Sequence, residues 1–386
     1  MAKIHEYTDS SGVKFYEFRF YAGINPQTGK PKYIHRKKFK TQKSARLALS
    51  RLQLELSQKG TIEKENNILF SQVYQEWYQE YINTVRESTY ARTAGMFTNH
   101  ILPIFGNKRI RTITTEQVQR AVNKWFKEVS YNYKRWYNYT VAVLDFAIKR
   151  GYVKAWATNP AKLITLPKRP DKFGDKPENF WNKEELERFF SMIDPQTEPE
   201  QFTLFRVLAF AGLRRGEVLA LTWGDLSITN NTLRINKTLT QGMKGKQIVQ
   251  APKTRKSRRT VIIDPQTVQI LKHWRLVQRQ RFMKLGINTL GKDQLMFATR
   301  YNTYKVLNCP SKWLRAIIKD TNLKPITVHG FRHSHASAMF ASGATIKEVQ
   351  ERLGHEDVAT TLNIYTHVTK DQNEKAVEKL VGYLKF

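Results

Sequence analysis

The sequence predicts a multidomain chain: a small α+β module of sheet plus helix, then an all-α domain, then a mixed, mainly α domain with a small three-stranded antiparallel sheet. Three observations lead there. The chain has 386 residues, more than one typical core accommodates. Its hydrophobic period changes from alternation to a helical repeat, and short alternating runs return between 232 and 264. Two polar stretches, "SQKGTIEKENN" and "NPAKLITLPKRPDKFGDKP", read as linkers between the segments. The expected domains are 1–60, 66–165 and 175–386.

In the first module "KFYEFRFYAG" alternates aromatic with polar residues, as a strand does, and "NPQTGKPK" carries turn formers. "KYIHRKKFKT" follows as a second or third strand. "TQKSARLALSRLQLEL" reads as a helix, with a Thr cap and Ala45, Leu49, Leu52 and Leu56 at helical spacing. Four helical segments fill the middle: "FSQVYQEWYQEYINTV", "TYARTAGMFTNHILPIF", "TTEQVQRAVNKWFKEV" and "YNYKRWYNYTVAVLDFAIKRGYV". Thr114 or Thr115 caps the third. Beyond the second linker, "WNKEELERFFSMI" opens a helix with an acidic first turn, and "TLFRVLAFAGLRRGEVLALTWGDL" holds two more helical pieces. "TLRINKTL", "KQIVQAPK" and "RRTVIID" read as three strands, and helices are expected from Pro265 to the end.

Lys and Arg number 65 against 33 acids, a net charge of +32. Such a balance calls for a polyanion, of which nucleic acid is the commonest. The charge is spread along the chain and interleaved with aromatics, unlike a basic tail or a membrane-surface patch. In the first module Arg19, Lys30, Lys32, Arg36, Lys37 and Lys38 mark a candidate DNA-binding sheet; the alternative is a solvated basic cap. Lys134 and Arg135, among Tyr and Trp, are the candidates in the middle domain. The lone cysteine, Cys309, excludes an intramolecular disulfide and a thiolate zinc cluster and fits a packing role in a reducing cytosol. No apolar run has the length of a membrane span, and "MAKIHEYTDS" lacks the apolar core of a signal peptide, so the expected location is cytoplasmic.

Four short segments carry chemistry. In "AGLRRGEVLAL", Arg214 and Glu217 fall three apart, on one face of a helix. "PKTRKSRRT" puts Lys253 in a turn between two strands. In "VHGFRHSHAS", His329 and Arg332 are three apart; His329 and His333 have a zinc spacing, but neither a glutamate between them nor a nearby Cys or carboxylate completes a metal site. Last, "IKEVQERLGH" is an amphipathic helix (Ile346, Val349, Leu353) stopped by Gly354, which leaves His355 at its end. "ATTLNIYTHV" then starts a short helix bearing Tyr365.

Together these segments resemble the tyrosine recombinase (phage integrase) family, the integrases of temperate phages and conjugative transposons with an N-terminal arm-binding domain. The resemblance covers the whole chain. Gly-Leu-Arg-x-x-Glu, a hairpin Lys, His-x-x-Arg, Leu-Gly-His and a Tyr ten residues later all occur in the family's order. Ala211 stands where Thr is frequent, and Gly330-Phe331 where Asp-Leu is usual. The resemblance implies arm-binding, core-binding and catalytic domains, with no metal or other cofactor and no ATP. It makes Tyr365 the nucleophile, Arg214 and Arg332 the phosphate clamp, His329 the general base and Lys253 the general acid. His355 would bond the phosphate or orient the nucleophile, and Glu217 would support the arginine. Lys256 and Arg215 are rivals to Lys253 and Arg214. The implied partners are double-stranded DNA attachment sites of core and arm type, and a homotetramer that exchanges strands through a Holliday junction. A directionality factor and a host DNA-bending protein would assist, in the cytoplasm of a bacterial host, on the nucleoid. The tail after Tyr365 is expected to dock on a neighbouring protomer. A one-strand topoisomerase of the same chemistry, a non-catalytic architectural protein and a metal nuclease are the alternatives; the extra N-terminal sheet, the full catalytic set and the lack of paired carboxylates weigh against them in turn.

Overall fold

A computed structural model describes residues 3–24, 31–59, 68–129, 131–153, 156, 158–169, 178–252, 254–359, 361, 362 and 384. Their contacts form two compact units, Met1–Gln75 with Ile104–Thr165, and Glu76–Pro103 with Leu166–Phe386.

The N-terminal module is an antiparallel meander of β1 (Ile4–Thr8), β2 (Lys14–Ile24) and β3 (Pro31–Phe39), followed by α1 (Gln42–Lys59). Sequence pattern does not reveal β1. Phe18, Phe20 and Ala22 alternate onto the face that packs against Ala45, Leu49 and Leu52 of α1. The Thr41 hydroxyl caps α1 by accepting the Ser44 N–H at 3.2 Å. Helix α1 includes Ser57–Lys59, the start of the first expected linker; the rest of that linker lies outside the described residues. On the other face of the sheet Arg19 opposes His35 and Tyr21 opposes Tyr33, and the Arg19 guanidinium lies 4.5 Å from the Tyr33 ring centre. Arg19 and Lys37 are exposed on that face; Arg36, which opposes Phe18, and Lys32 alternate to the α1 side but are exposed, as is Lys38, while Lys30 lies outside the described residues. Glu17 tempers this face through His35 at 3.2 Å and Lys37 at 4.0 Å.

The helical segments are α2 (Phe70–Tyr81), α3 (Glu87–Met96), α4 (Leu102–Phe105), α5 (Thr115–Glu128) and α6 (Tyr133–Lys149). A π turn at Phe97–Ile101 joins α3 to α4; Pro103 has no N–H to continue the ladder, and the turn widens. Thr114 caps α5 through the Gln117 N–H. In the first unit Phe70, Phe105, Trp125 and Trp136 form a chain of ring contacts at 5.6, 6.3 and 5.8 Å. The second expected linker starts later than the sequence suggests. Asn159 is buried, donates to Val141 O and Asp145 Oδ1, and caps a 3-10 turn at Pro160–Leu163; the Gln119 side chain pairs with both backbone groups of Thr165. Composition suggested a linker because Pro and Lys are frequent, but these backbone groups have partners. Lys134 and Arg135 are exposed on the first turn of α6.

The second unit continues with α7 (Lys183–Ser191), α8 (Pro199–Ala211), α9 (Arg215–Val218), strands β4 (Leu226–Ser227), β5 (Thr232–Ile235), β6 (Thr238–Gln241), β7 (Gln247–Gln250) and β8 (Arg259–Ile262), then α10 (Pro265–Met283), α11 (Cys309–Ile317), α12 (Gly330–Ala341) and α13 (Ile346–Leu353). The expected single sheet is two: a three-stranded β4-β5-β8 sheet and a separate β6-β7 hairpin. "TLRINKTL" breaks at Asn236–Lys237, where the Lys237 ammonium is drawn onto the carboxylate of Asp225 and the Thr222 hydroxyl. Helices also do not run unbroken from Pro265. Residues 284–308 carry turns and isolated bridges, Thr222↔Leu295 and Ala298↔Tyr304. Trp181, Phe189, Phe205 and Phe331 pack ring on ring at the centre of the core, 5.0–5.4 Å apart. At the start of α3, Arg86 donates to the carbonyls of Ala251 at 2.6 Å and Pro252 at 3.0 Å, and Glu87 accepts the Met243 N–H, so this helix end grips the β6-β7 hairpin. Among the described residues no helix is long and apolar enough to cross a membrane.

Candidate active site

Helix α8 stops at Gly212, whose φ of +64° is left-handed. A Cβ there would come within 2.7 Å of His335 and 2.8 Å of Leu353, so only glycine lets these segments meet. The chain then turns, and Arg214 is extended (φ −75°, ψ 150°) just before α9. Arg214 and Glu217 therefore do not share a helix face, as their spacing suggested. Glu217 instead reaches back: Oε2 accepts the Arg214 backbone N–H at 3.0 Å, and Oε1 accepts from Nη1 at 2.8 Å. Arg259 of β8 approaches the same carboxylate, at 3.0 Å to Oε2 and 3.3 Å to Oε1.

His329 immediately precedes α12. Its position is set by Asn179, which pairs with the Thr327 N–H and hydroxyl, and by Ser334, which accepts the Trp181 N–H at 2.8 Å. A Cβ on Gly330 would meet the Asn179 carbonyl at 2.8 Å, a physical reason for glycine at that position. Arg332 is 1% exposed. Its Nη1 donates to Gly212 O at 2.8 Å and its Nη2 to Leu353 O at 2.6 Å, while its buried Nε has no protein partner. Thr345 and Glu348 form a capping box on α13, which ends at Gly354 with φ +67°. His355 is buried there, its Nδ1 2.9 Å from the hydroxyl of buried Thr361.

These groups share one electrostatic environment. Burial lowers Arg332 to about 8; Arg214 and Arg259 push the same way, and Glu217 partly offsets them. His355 falls to about 3, first through burial, then through Arg332, Arg214 and His329. His329 reaches solvent with part of its ring, but partial desolvation, then His333 and Arg332, lower it to about 4. Burial alone would raise Glu217; Arg259 and then Arg214 outweigh it and hold the carboxylate below its usual range. At neutral pH the result is neutral imidazoles beside Arg332 and beside Arg214 and Arg259, which share the Glu217 carboxylate. Such a site attracts an anion and keeps its imidazoles unprotonated at neutral pH.

The structure thus brings Arg214, Glu217, His329, Arg332 and His355 together. Lys253 and Tyr365 lie outside the described residues, as does all of the tail except Leu384. Lys256 is exposed in the turn Arg255–Ser257, and Arg215 turns toward the Ser311 hydroxyl at 3.4 Å. Ring contact at 4.8 Å joins His329 to His333. Among the described residues no cluster of three or more His, Cys, Asp or Glu could hold a metal ion. Sequence spacing did not single out Arg259, one of five basic residues in "PKTRKSRRT". The available signal was strand alternation: Arg259 and Val261 oppose the buried Ile235 and Leu233.

Comparison with known proteins gives the family. Residues 179–372 match the model of the phage integrase family, and residues 69–126 match its N-terminal SAM-like domain. A XerC-like tyrosine recombinase of Caldanaerobacter subterraneus subsp. tengcongensis is 30% identical over 323 residues, covering 79% of this chain and 80% of that one. The ICEBs1 integrase of Bacillus subtilis is 31% identical over 238 residues, 62% of each chain. In fold, the Tn1549 transposon integrase solved with transposon right-end DNA matches at a TM-score of 0.62 and 18% identity, over 81% of this chain and 100% of that one. A lambda integrase tetramer solved on a Holliday junction matches at 0.56 and 14%, over 93% of this chain and 94% of that one. The chain belongs to the phage integrase family and is a tyrosine recombinase, an enzyme of site-specific DNA recombination in mobile elements.

Proposed function

We propose that this recombinase cuts and rejoins the attachment sites of its element through a covalent link between Tyr365 and a 3′-phosphate. The observation that carries the reading is the buried Arg332, with Nε unpartnered, in a cluster of three arginines and one carboxylate. A scissile phosphodiester supplies the missing negative charge. In its displacement, charge builds on the non-bridging oxygens, where Arg214 and Arg332 give fixed, planar donors that a lysine cannot imitate. The Tyr365 oxygen attacks phosphorus while His329, neutral at pH 7, takes the phenol proton. The bond to the 5′-oxygen breaks, and Lys253 returns a proton to that oxygen. His355 bonds the phosphate. The phosphotyrosyl ester conserves the energy of the broken bond, so rejoining is the reverse attack by a 5′-hydroxyl.

Residues 175–386 carry this chemistry, 66–165 grip the core site, and 1–60 read a second, arm-type site through the basic residues of the sheet, Arg19, Lys32, Arg36, Lys37 and Lys38; Lys134 and Arg135 add phosphate contacts. The lambda integrase tetramer on a Holliday junction supports the same assembly for four copies of this chain, acting in the bacterial cytoplasm with element-specific accessory proteins. The test is covalent trapping in EDTA on a nicked duplex spanning the element's joined ends. An adduct on a denaturing gel that Tyr365→Phe abolishes is the expected outcome; a bound duplex with no adduct refutes the reading.

A further inference from the structure

The chemistry above does not call on Arg259, yet this side chain is 7% exposed and ties together the segments that perform it. Its two Nη atoms bridge both oxygens of Glu217, its Nε donates to Arg352 O at 2.9 Å, and Nη1 also lies 3.4 Å from Ser257 O. The Arg352 carbonyl adjoins that of Leu353, which holds Arg332, which in turn holds Gly212. The bonds close a ring: Arg214, Glu217, Arg259, the end of α13, Arg332 and the loop leading back to Arg214. We infer that Arg259 is a positioning residue for strand cleavage. It orients Glu217 so that Arg214 faces the phosphate, and it ties that pair to the segment bearing His355, so the phosphate site is assembled before DNA arrives. The inference rests on the reading of Arg214, Arg332 and His355 as phosphate ligands.

Two features argue for more than packing. The bridge to Glu217 is bidentate, which fixes the plane of the carboxylate and hence the direction of Arg214. Arg259 also supplies a second positive charge to Glu217; without it that carboxylate would be matched by Arg214 alone and would oppose phosphate binding. Gly354 packs tightly on the same side chain, where a Cβ would lie 3.1 Å from Arg259 Cδ, so a shift of the arginine is transmitted to His355.

The test is single-turnover cleavage of the nicked joined-ends duplex by the full chain, comparing wild type, Arg259→Gln and Arg259→Lys. At saturating protein Arg259→Gln should cleave about 10–100-fold more slowly, with duplex affinity unchanged within about 3-fold. Arg259→Lys should regain only part of the rate, because one ammonium cannot make the two-oxygen bridge. On a duplex with a methylphosphonate at the scissile position, which lacks one negative charge, the gap between wild type and Arg259→Gln should narrow markedly. Cleavage by Arg259→Gln at the wild-type rate overturns the inference. So does a gap undiminished on the methylphosphonate, which marks a merely structural loss. If Arg259→Gln does not fold, Arg259→Lys carries the same comparison. Failure of the wild type to form an adduct on a duplex it binds instead overturns the underlying function reading, and the inference with it.

Discussion

Glu217→Gln keeps the shape of a side chain that is 3% exposed and removes the carboxylate shared by Arg214 and Arg259. Breaking a buried ion pair by removing one partner costs roughly 3–5 kcal/mol. The amide oxygen still accepts one bond, so the lower figure, about 3 kcal/mol, applies. For a unit of this size each kcal/mol moves the melting temperature by roughly 2–4 °C, giving an expected fall of about 6–12 °C. The assay is thermal unfolding at pH 7 followed by tryptophan emission, since Trp181, Trp223 and Trp274 are buried in the same unit. Sulfate should restore part of the loss in the variant, because the cluster then lacks its resident anion. A fall smaller than about 2 °C, with no response to sulfate, refutes the view that Glu217 is the counter-ion holding Arg214 and Arg259 together.

Acid should destabilise the DNA-free protein through its buried histidines. His335 donates from Nδ1 to Ala209 O and accepts from Arg352 Nε, and burial, then Arg352, lowers it from 6.5 to about 4. Its neutral form is the folded one, so the stability it gives is complete above pH 6.5 and lost as pH falls toward 4. Between pH 7 and 5 the loss is roughly 2 kcal/mol, read as a drop in the urea midpoint that His335→Gln removes; an unchanged midpoint contradicts the assignment. Gly354→Ala places a Cβ 2.8 Å from the Lys256 carbonyl at a φ of +67°, and should cost roughly 1–3 kcal/mol and slow cleavage about 10-fold. Arg86→Ala removes both bonds to the chain leaving β7; hydrogen exchange in β6-β7 should rise, with little change in the melting of the core. Arg19→Ala should weaken binding to arm-type DNA and lower its salt slope by about 1 while leaving adduct formation on a core duplex unchanged; equal loss on both duplexes would place Arg19 elsewhere in the mechanism.

Much of this architecture was legible because its signals are local. Thr41, Thr114 and Thr345 cap helices through bonds to residues three ahead, and Gly354 ends α13 because it accepts a positive φ. Arg214, His329, Arg332 and His355 sit in short motifs that the resemblance picks out, while the Arg214–Glu217 spacing alone misled, because Arg214 is extended before α9. What sequence hid depends on partners far along the chain. The break between β5 and β6 follows from Asp225, twelve residues before Lys237, and Asn159 is docked by Asp145 and Val141 on α6. Strand β1 has five residues with no buried side chain, so its alternation carries no apolar signal. Arg259 looks like one more surface cation until Glu217, 42 positions earlier, is beside it.

The two carbonyls that hold Arg332 have a further property. Gly212 caps the C-terminus of α8, and Leu353 is the last residue of α13. Each helix ends with roughly half a negative charge spread over its last carbonyls. The buried guanidinium is therefore steadied by the ends of two dipoles rather than by a formal anion of its own. A carboxylate in that place would hold the arginine as firmly but cancel its charge. Backbone dipoles hold it in a dry site with that charge still available, so the strongest pairing open to Arg332 is with a group that arrives from outside the protein.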